Sequence, residues 1–139
     1  MRYVTTGKQM KEIDRYTMEE IGIPSMVLME RAAWAFVEEI RGALKKTDRI
    51  WVACGTGNNG ADGVAAARML TLEGFRPVIL LAGDAERGTE EFKAQLAIAR
   101  KLGVPVFETE DFIPGKCEVI LDAVFGVGLS RPIEGAYRE

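Results

Sequence analysis

The sequence predicts an α/β fold in which helices cover a mostly parallel, doubly wound sheet in three α/β/α layers. Four short apolar segments, at 49–54, 77–82, 104–107 and 118–123, have the length and composition of buried strands. Helical segments separate the first three, and this alternation is typical of parallel sheets. Right-handed crossovers then give the strand order 3-2-1-4. The 139 residues fit a single domain.

Two helices are expected ahead of the sheet. Apolar residues recur at three- and four-residue spacing from Lys8 to Ile21, and the Gly-Ile-Pro sequence at 22–24 ends that helix. Ser25 is then the expected N-cap of a second helix, along which one apolar stripe runs from Met29 to Leu44. We expect these helices to pack on one face of the sheet or to form an oligomer contact.

The sheet begins with the strand Arg49–Cys54. The glycine-rich segment Gly55–Gly60 follows and indicates a loop, after which Asp62 is expected to cap a helix over 63–73 that ends at Gly74. The strand Pro77–Ala82 comes next, followed by a helix that is capped by Thr89 and ended by Gly103, and then by the strand Val104–Phe107. A connection at 108–116 has no clear helix. It leads to the strand Glu118–Ala123 and a second glycine-rich loop, Phe125–Leu129.

Composition excludes several classes of function. The chain has no histidine, so Ser-His-Asp and Cys-His catalysis and His-ligated zinc are excluded. A net charge of −3 gives no broad electrostatic basis for binding nucleic acid. No apolar stretch approaches the length of about 20 residues that spans a bilayer. Cys54 and Cys117 form no CxxC pattern, and a reducing cytoplasm is the expected location.

The two glycine-rich loops point to one crevice. In a doubly wound sheet, ligands bind at the carboxyl ends of the strands where the winding direction reverses, here between the first and fourth strands. Gly55, Gly57 and Gly60 match GxGxxG, which suits a diphosphate at the start of a helix, although a tight turn that binds nothing has the same pattern. Asp84 lies too far along to be the usual acidic companion of a dinucleotide site.

Polar residues of these loops are the candidate chemical groups. Asn58 and Asn59 can orient a ligand or offer a carbonyl oxygen to a cation, or they serve only a left-handed backbone. Asp62 is a candidate as well as a helix cap. Asp122 interrupts an apolar strand, where burial is costly without a cation, a ligand hydroxyl or loop amides as partners. We therefore favour a catalytic role for Asp122. Arg68 is expected to be exposed, with phosphate contact as the alternative.

Three ordered segments resemble a known family. They are GIPSMVLMERAA at 22–33, VACGTGNNGADG at 52–63 and ILDAVFGVGL at 120–129. Together they are similar to the YjeF N-terminal domain, the NAD(P)H-hydrate epimerase family, over nearly the whole chain. The family loop is typically NNGGDG, and its second motif resembles DAIFGTGL.

The resemblance implies a Rossmann-like fold, often a homodimer, that interconverts the R and S epimers of hydrated NADH or NADPH. It implies a potassium ion held partly by Asn59 and Asp122. It also implies two sets of substrate contacts, namely Asn58, Asn59, Gly60, Ala61 and Asp62 in the first loop, and Gly126, Val127, Gly128, Leu129, Ser130, Arg131 and Pro132 in the second.

Two departures from the family pattern bear on activity. Ala61 replaces a family glycine and would be costly if the position needs positive φ or close backbone approach. Family domains also continue beyond the position of Glu139 through a DVPSG-type motif. Residues 1–139 are therefore expected to form one domain that lacks its C-terminal part. The fourth strand would then have a free edge, and we expect weak or absent activity. A non-catalytic nucleotide-binding or protein-interaction module is the alternative. An ordinary NAD(P)-dependent oxidoreductase is disfavoured by the position of Asp84.

Overall fold

A computed structural model describes residues 4–113, 115–127, 129 and 132. It contains four helices and four strands in these ranges, α1 (Gly7–Tyr16), α2 (Ser25–Ile40), β1 (Ile50–Cys54), α3 (Asn58–Leu72), β2 (Pro77–Leu81), α4 (Glu90–Lys101), β3 (Val106–Glu108) and β4 (Val119–Ala123). A π-helical turn, Thr17–Ile21, extends α1, and short 3-10 turns lie at Arg41–Ala43 and Ala85–Arg87. The strand order is β3-β2-β1-β4, which confirms the predicted Rossmann-like α/β class and topology.

All strand pairs are parallel, and β1 is central. Its first residue, Ile50, pairs with Pro77 of β2 and with Val119 of β4. β3 extends the sheet on the far side of β2, where Val106 pairs with Ile79. The carboxyl ends of β1 and β4 are therefore adjacent, as the crevice prediction requires.

One face of the sheet carries the main core. Ile50, Val52 and Cys54 alternate along β1 with no exposed surface, and they belong to one apolar cluster with residues of α2, α3 and α4. The connection from β3 to β4 contains no helix among its described residues. It places Phe112 on the opposite face, where its ring meets Trp51 edge-on at 4.8 Å.

Several predicted boundaries are confirmed. Thr89 caps α4 by accepting a hydrogen bond from the Phe92 amide. Gly74 follows α3 with φ of 83°, and its amide donates to the carbonyl of Thr71. A left-handed residue at this position lets the chain leave the helix while its last carbonyls stay bonded.

Two predicted caps are wrong. Ser25 does not cap α2, because its hydroxyl donates to the Glu91 carboxylate of α4 at 2.7 Å. Asp62 does not cap α3, because that helix already begins at Asn58 and has Gly57 as its N-cap. The segment Asn58–Gly60 is therefore the first helical turn and not part of a loop.

The two leading helices differ in their packing. α2 buries Met29, Ala33 and Val37 against the core, as its apolar stripe predicts. α1 buries none of its residues, and Met10 and Ile13 stay 46% and 49% exposed. A helix of ten residues is marginal in water by itself, so α1 depends on the few contacts it makes with the body.

No helix in the described part of the chain combines the length and the apolar character needed to cross a membrane.

Candidate active site

The two glycine-rich segments meet at the carboxyl ends of β1 and β4, as predicted. The Gly55 amide donates to the Ala123 carbonyl at 3.1 Å. A Cβ atom added to Gly55 would lie 2.3 Å from the Val124 carbonyl oxygen, so only glycine fits this approach. A Cβ atom on Gly126 would lie 3.1 Å from the Asn59 Cβ, which places the second loop directly against the start of α3.

The start of α3 folds back on the end of β1. A Cβ atom on Gly60 would stand 1.7 Å from the Gly55 carbonyl oxygen, well inside van der Waals contact. One turn later, a Cβ on Gly63 would lie 2.5 Å from the Ala123 Cβ and 3.0 Å from the Cys54 Sγ. These glycines let α3 begin only three residues after the strand, so its first turn is held close to the sheet end.

Ala61 is accommodated without strain. It is fully buried within α3, and no non-glycine residue in the described ranges has positive φ. The cost expected from replacing the family glycine therefore does not arise from the backbone conformation.

Asn59, Asp62 and Asp122 line one cleft of about 270 Å³ between α2, α3 and β4. Its other walls are almost entirely apolar. They are formed by Ala32, Ala33 and Phe36 of α2, Gly63 and Ala66 of α3, and Val52, Leu121 and Ala123 of the sheet. The cleft therefore has a polar group of two carboxyls and one amide beside an apolar wall.

Asp62 is the acid of this cleft whose pKa is raised. Burial, and then the nearby Asp14 carboxylate of α1, raise its pKa from 3.8 to about 6. No hydrogen-bond donor of the described chain offsets that effect. A carboxyl that is partly protonated near neutral pH can act as a general acid.

Asp122 lies in the cleft, but the premise of its burial is wrong. Its side chain is exposed, and its Oδ1 accepts a hydrogen bond from the Val124 amide at 3.0 Å. β4 has no further neighbour among the described residues, so the side chain at this register stays open to solvent. Loop amides, one of the three partners considered from sequence, are the ones found.

The remaining predicted site residues divide into two groups. Val127, Leu129 and Pro132 are exposed. Val127 also packs against α1, because a Cβ on Gly7 would meet its Cβ at 3.4 Å. The predicted contacts that lie outside the described residues are Gly128, Ser130 and Arg131.

Two other sequence interpretations are settled by the structure. Asp84 caps its own turn, because its Oδ1 accepts a hydrogen bond from the Glu86 amide at 3.0 Å, which gives this residue a structural role. Arg68 is 9% exposed and not on the surface as expected. In the described part of the chain, no three acidic or cysteine side chains cluster closely enough to hold a metal ion.

Sequence reasoning missed Asp14 and the α2 wall of the cleft. Asp14 gave no signal, because its influence on Asp62 crosses between two helices. Ala32 and Ala33 did give a signal in the sequence for the α2 wall, since adjacent small residues on an amphipathic helix allow close approach of a neighbouring element.

The chain is similar to known proteins in sequence and in fold. A family model described as YjeF-related protein N-terminus matches residues 25–139. The chain is 43% identical to a protein of Weissella koreensis named NAD(P)H-hydrate epimerase, over 96% of this chain and 60% of that protein. A protein of the same name from Limosilactobacillus reuteri is 41% identical over 98% of this chain and 64% of its own length.

A crystal structure of the yeast protein ynu0 superposes with a TM-score of 0.86 at 29% sequence identity. The match covers 99% of this chain and 62% of the yeast chain. The chain thus spans 60–64% of the length of the curated relatives named above.

Proposed function

Because the chain belongs to the family described as YjeF-related protein N-terminus, we propose that it acts on hydrated NADH or NADPH and interconverts the R and S epimers. The observation that carries the proposal is the meeting of Asn59, Asp62 and Asp122 in one cleft beside two glycine-rich segments. Relatives at 41–43% identity bear the name NAD(P)H-hydrate epimerase.

The two carboxyls suit the two halves of such a reaction. Epimerisation at a carbon that carries a hydroxyl next to the ring nitrogen requires the C–O bond to break and to form again on the other face. Asp62, whose pKa is raised to about 6, gives its proton to the departing hydroxyl while the nitrogen lone pair forms the iminium. Water then adds to the opposite face, and its proton passes to Asp62, which has just lost one, or to Asp122. Two carboxyls in unlike environments are a recurring acid–base arrangement.

The start of α3 suits the diphosphate of such a substrate. The unpaired amides of the first helical turn and the positive end of the helix dipole attract anions. Gly57 and Asn58 lie at this end, next to the second glycine-rich loop. We place the diphosphate here and the hydrated ring toward Asp62 and Asp122.

We also propose a potassium ion held partly by Asn59 and Asp122. Amide and carboxylate oxygens are suitable donors for a hard cation, and both side chains line the cleft. Hydrogen bonding to the Val124 amide occupies Oδ1 of Asp122, which leaves Oδ2 as the oxygen for an ion. When bound, the ion would supply positive charge near the substrate.

We propose a homodimer that covers the exposed apolar residues of the leading helices. Ile13 and Tyr16 of α1 and Val27 and Trp34 of α2 are 46–57% exposed. Burying such residues is a common source of stability in homodimers. A monomer at high concentration in sedimentation equilibrium would contradict this assignment. For the compartment we propose the cytoplasm, since Cys54 and Cys117 are both free thiols.

An epimer-conversion assay tests the proposed activity. The full chain is incubated with one chirally resolved epimer of hydrated NADH, with and without potassium. We expect conversion above the spontaneous rate, with a large loss in Asp62→Asn and in Asp122→Asn. Asp111→Asn, which removes a carboxylate from an exposed loop, is the matched control and should retain the rate. An unchanged rate in both cleft variants would contradict the assignment of acid and base.

Nucleotide binding without turnover is the second candidate. The observation that favours it is the exposure of Asp122, because a carboxylate open to water is less effective in proton transfer than one held in a closed site. Tight binding of NADPH without conversion of either epimer would select this candidate.

A further inference from the structure

A polar cluster of Glu30, Arg68 and Gln95 joins three helices, and none of its members is among the residues that line the cleft. The Arg68 Nη2 and the Gln95 Nε2 both donate to the same Glu30 oxygen, the latter at 2.7 Å. The Arg68 Nε donates to the Gln95 Oε1 at 2.9 Å. The three side chains therefore form a closed ring of hydrogen bonds that links α2, α3 and α4.

The side chains of the cluster have few alternative hydrogen-bond partners. Gln95 has no exposed surface and the Arg68 side chain is 10% exposed, so neither can find water as a substitute partner. Burial alone would raise the pKa of Glu30, but the bonds from Arg68 and Gln95 hold that pKa below its ordinary value. Breaking one buried bond of this kind leaves another polar group unpaired, which is costly.

The ring lies next to both helical walls of the cleft. Glu30 precedes Ala32 on α2 by two residues, and Arg68 follows Ala66 on α3 by two residues. Ala32 and Ala66 line the cleft with Phe36, and side chains this small do not by themselves keep two helices apart. A polar link thus joins α2 to α3 two residues along the chain from each of these alanines.

We infer that Glu30, Arg68 and Gln95 are positioning residues that set the separation of α2 from α3, and so the width of the cleft. Only the effect on ligand affinity rests on the proposed function. The separation of the helices is a property of the folded chain and can be measured without a ligand.

The test follows the methyl groups of the cleft by NMR on the full chain. The methyl signals of Ala33 on α2 and Ala66 on α3 respond to the packing between the walls, and the ring current of Phe36 on α2 makes the Ala66 signal directly sensitive to their separation. Glu30→Ala, which removes both bonds to the shared oxygen, should shift these signals. Glu30→Gln, which keeps an oxygen acceptor in the same place, should restore them.

Glu91→Ala is the matched control. It removes the Ser25 to Glu91 bond, which also ties α2 to α4 but does not involve α3, and it should leave the alanine signals in place. If Glu30→Ala fails to fold, Gln95→Leu is the second variant, since it breaks two bonds of the ring and keeps the Arg68–Glu30 ion pair.

Ligand affinity gives a second readout, with NADPH as the probe. We expect Glu30→Ala to weaken binding about fivefold, with recovery in Glu30→Gln, because a small displacement of a binding wall is costly. Unchanged methyl signals in a folded Glu30→Ala or Gln95→Leu would overturn the inference. An equal shift in Glu91→Ala would also overturn it, since the effect would then be general loosening. If the wild-type chain does not bind NADPH, the proposed function fails, while the methyl signals still decide the inference.

Discussion

Asp62→Asn should make the protein more stable at neutral pH, because the native carboxyl is held in an environment that disfavours its charge. The pKa of Asp62 is raised from 3.8 to about 6, mainly by burial. At about 1.36 kcal/mol per unit of pKa, ionising the group in the folded state costs about 3 kcal/mol. The side chain is partly exposed and the helix dipole favours a negative charge near its start, so we expect a net gain of about 2 kcal/mol.

The sign of the pH dependence is specific. The folded chain holds the Asp62 proton between pH 3.8 and about 6, whereas the unfolded chain has released it. The contribution of protonated Asp62 to the wild-type free energy of unfolding is therefore fully present below pH 3.8 and is lost as the pH rises through about 6. The advantage of Asp62→Asn should be near zero at the acid end of this range and complete above its upper end.

Urea unfolding of both proteins from about pH 4 to about pH 8 measures this difference. Asp14→Asn is a second variant, since removing the neighbouring charge should lower the pKa of Asp62 and move the transition toward acid. Asp111→Asn controls for the loss of one negative charge. A stability gain that is the same at every pH, or a loss at neutral pH, would refute the reasoning.

Three further predictions concern the surrounding structure. Gly60→Ala should unfold the chain or lower its free energy of unfolding in urea by at least about 3 kcal/mol, because its Cβ would lie 1.7 Å from a carbonyl oxygen. Gly57→Ala is the control, since a Cβ there meets nothing within 4 Å. Equal stability of the two variants would contradict the packing of α3 against the end of β1. Thr89→Ala should lower the free energy of unfolding, measured in urea, by about 1 kcal/mol, because α4 loses its cap. Thr89→Ser keeps the capping hydroxyl and should retain most of the wild-type stability. Thiol reagents should label Cys117 and spare Cys54, which is buried with its pKa raised to about 12; rapid labelling of Cys54 in native protein would show that β1 is accessible.

The topology could be predicted from sequence because each strand is an apolar run with its own turn signals. The order of the strands then needs only the right-handed crossover rule. The start of α3 could not be predicted in this way, since Gly57, Asn58 and Gly60 all have poor helix propensity. The helix forms there because Gly60 packs on the Gly55 carbonyl, a tertiary contact that overrides local preference.

The candidate site was only partly predictable for a related reason. The glycine-rich segments are local in sequence, and they identified Asn59, Asp62 and Asp122 as neighbours. The protonation of Asp62 and the exposure of Asp122 depend on which elements cover each side chain. Arg68 was misjudged because its partners are 38 and 27 residues away along the chain.

The first two turns of α3 break several rules that stabilise a helix, and this is an argument for their function. Glycines occupy two of the first six positions, and a carboxyl is partly buried in the second turn without a hydrogen-bond donor from the described chain. Each feature lowers stability, and residues that ignore local rules tend to lie at functional sites. The glycines bring the helix start against the sheet end, and burial keeps the Asp62 proton available near neutral pH. In the proposed function, the close helix start would serve the diphosphate, and the raised pKa of Asp62 would serve the proton transfer.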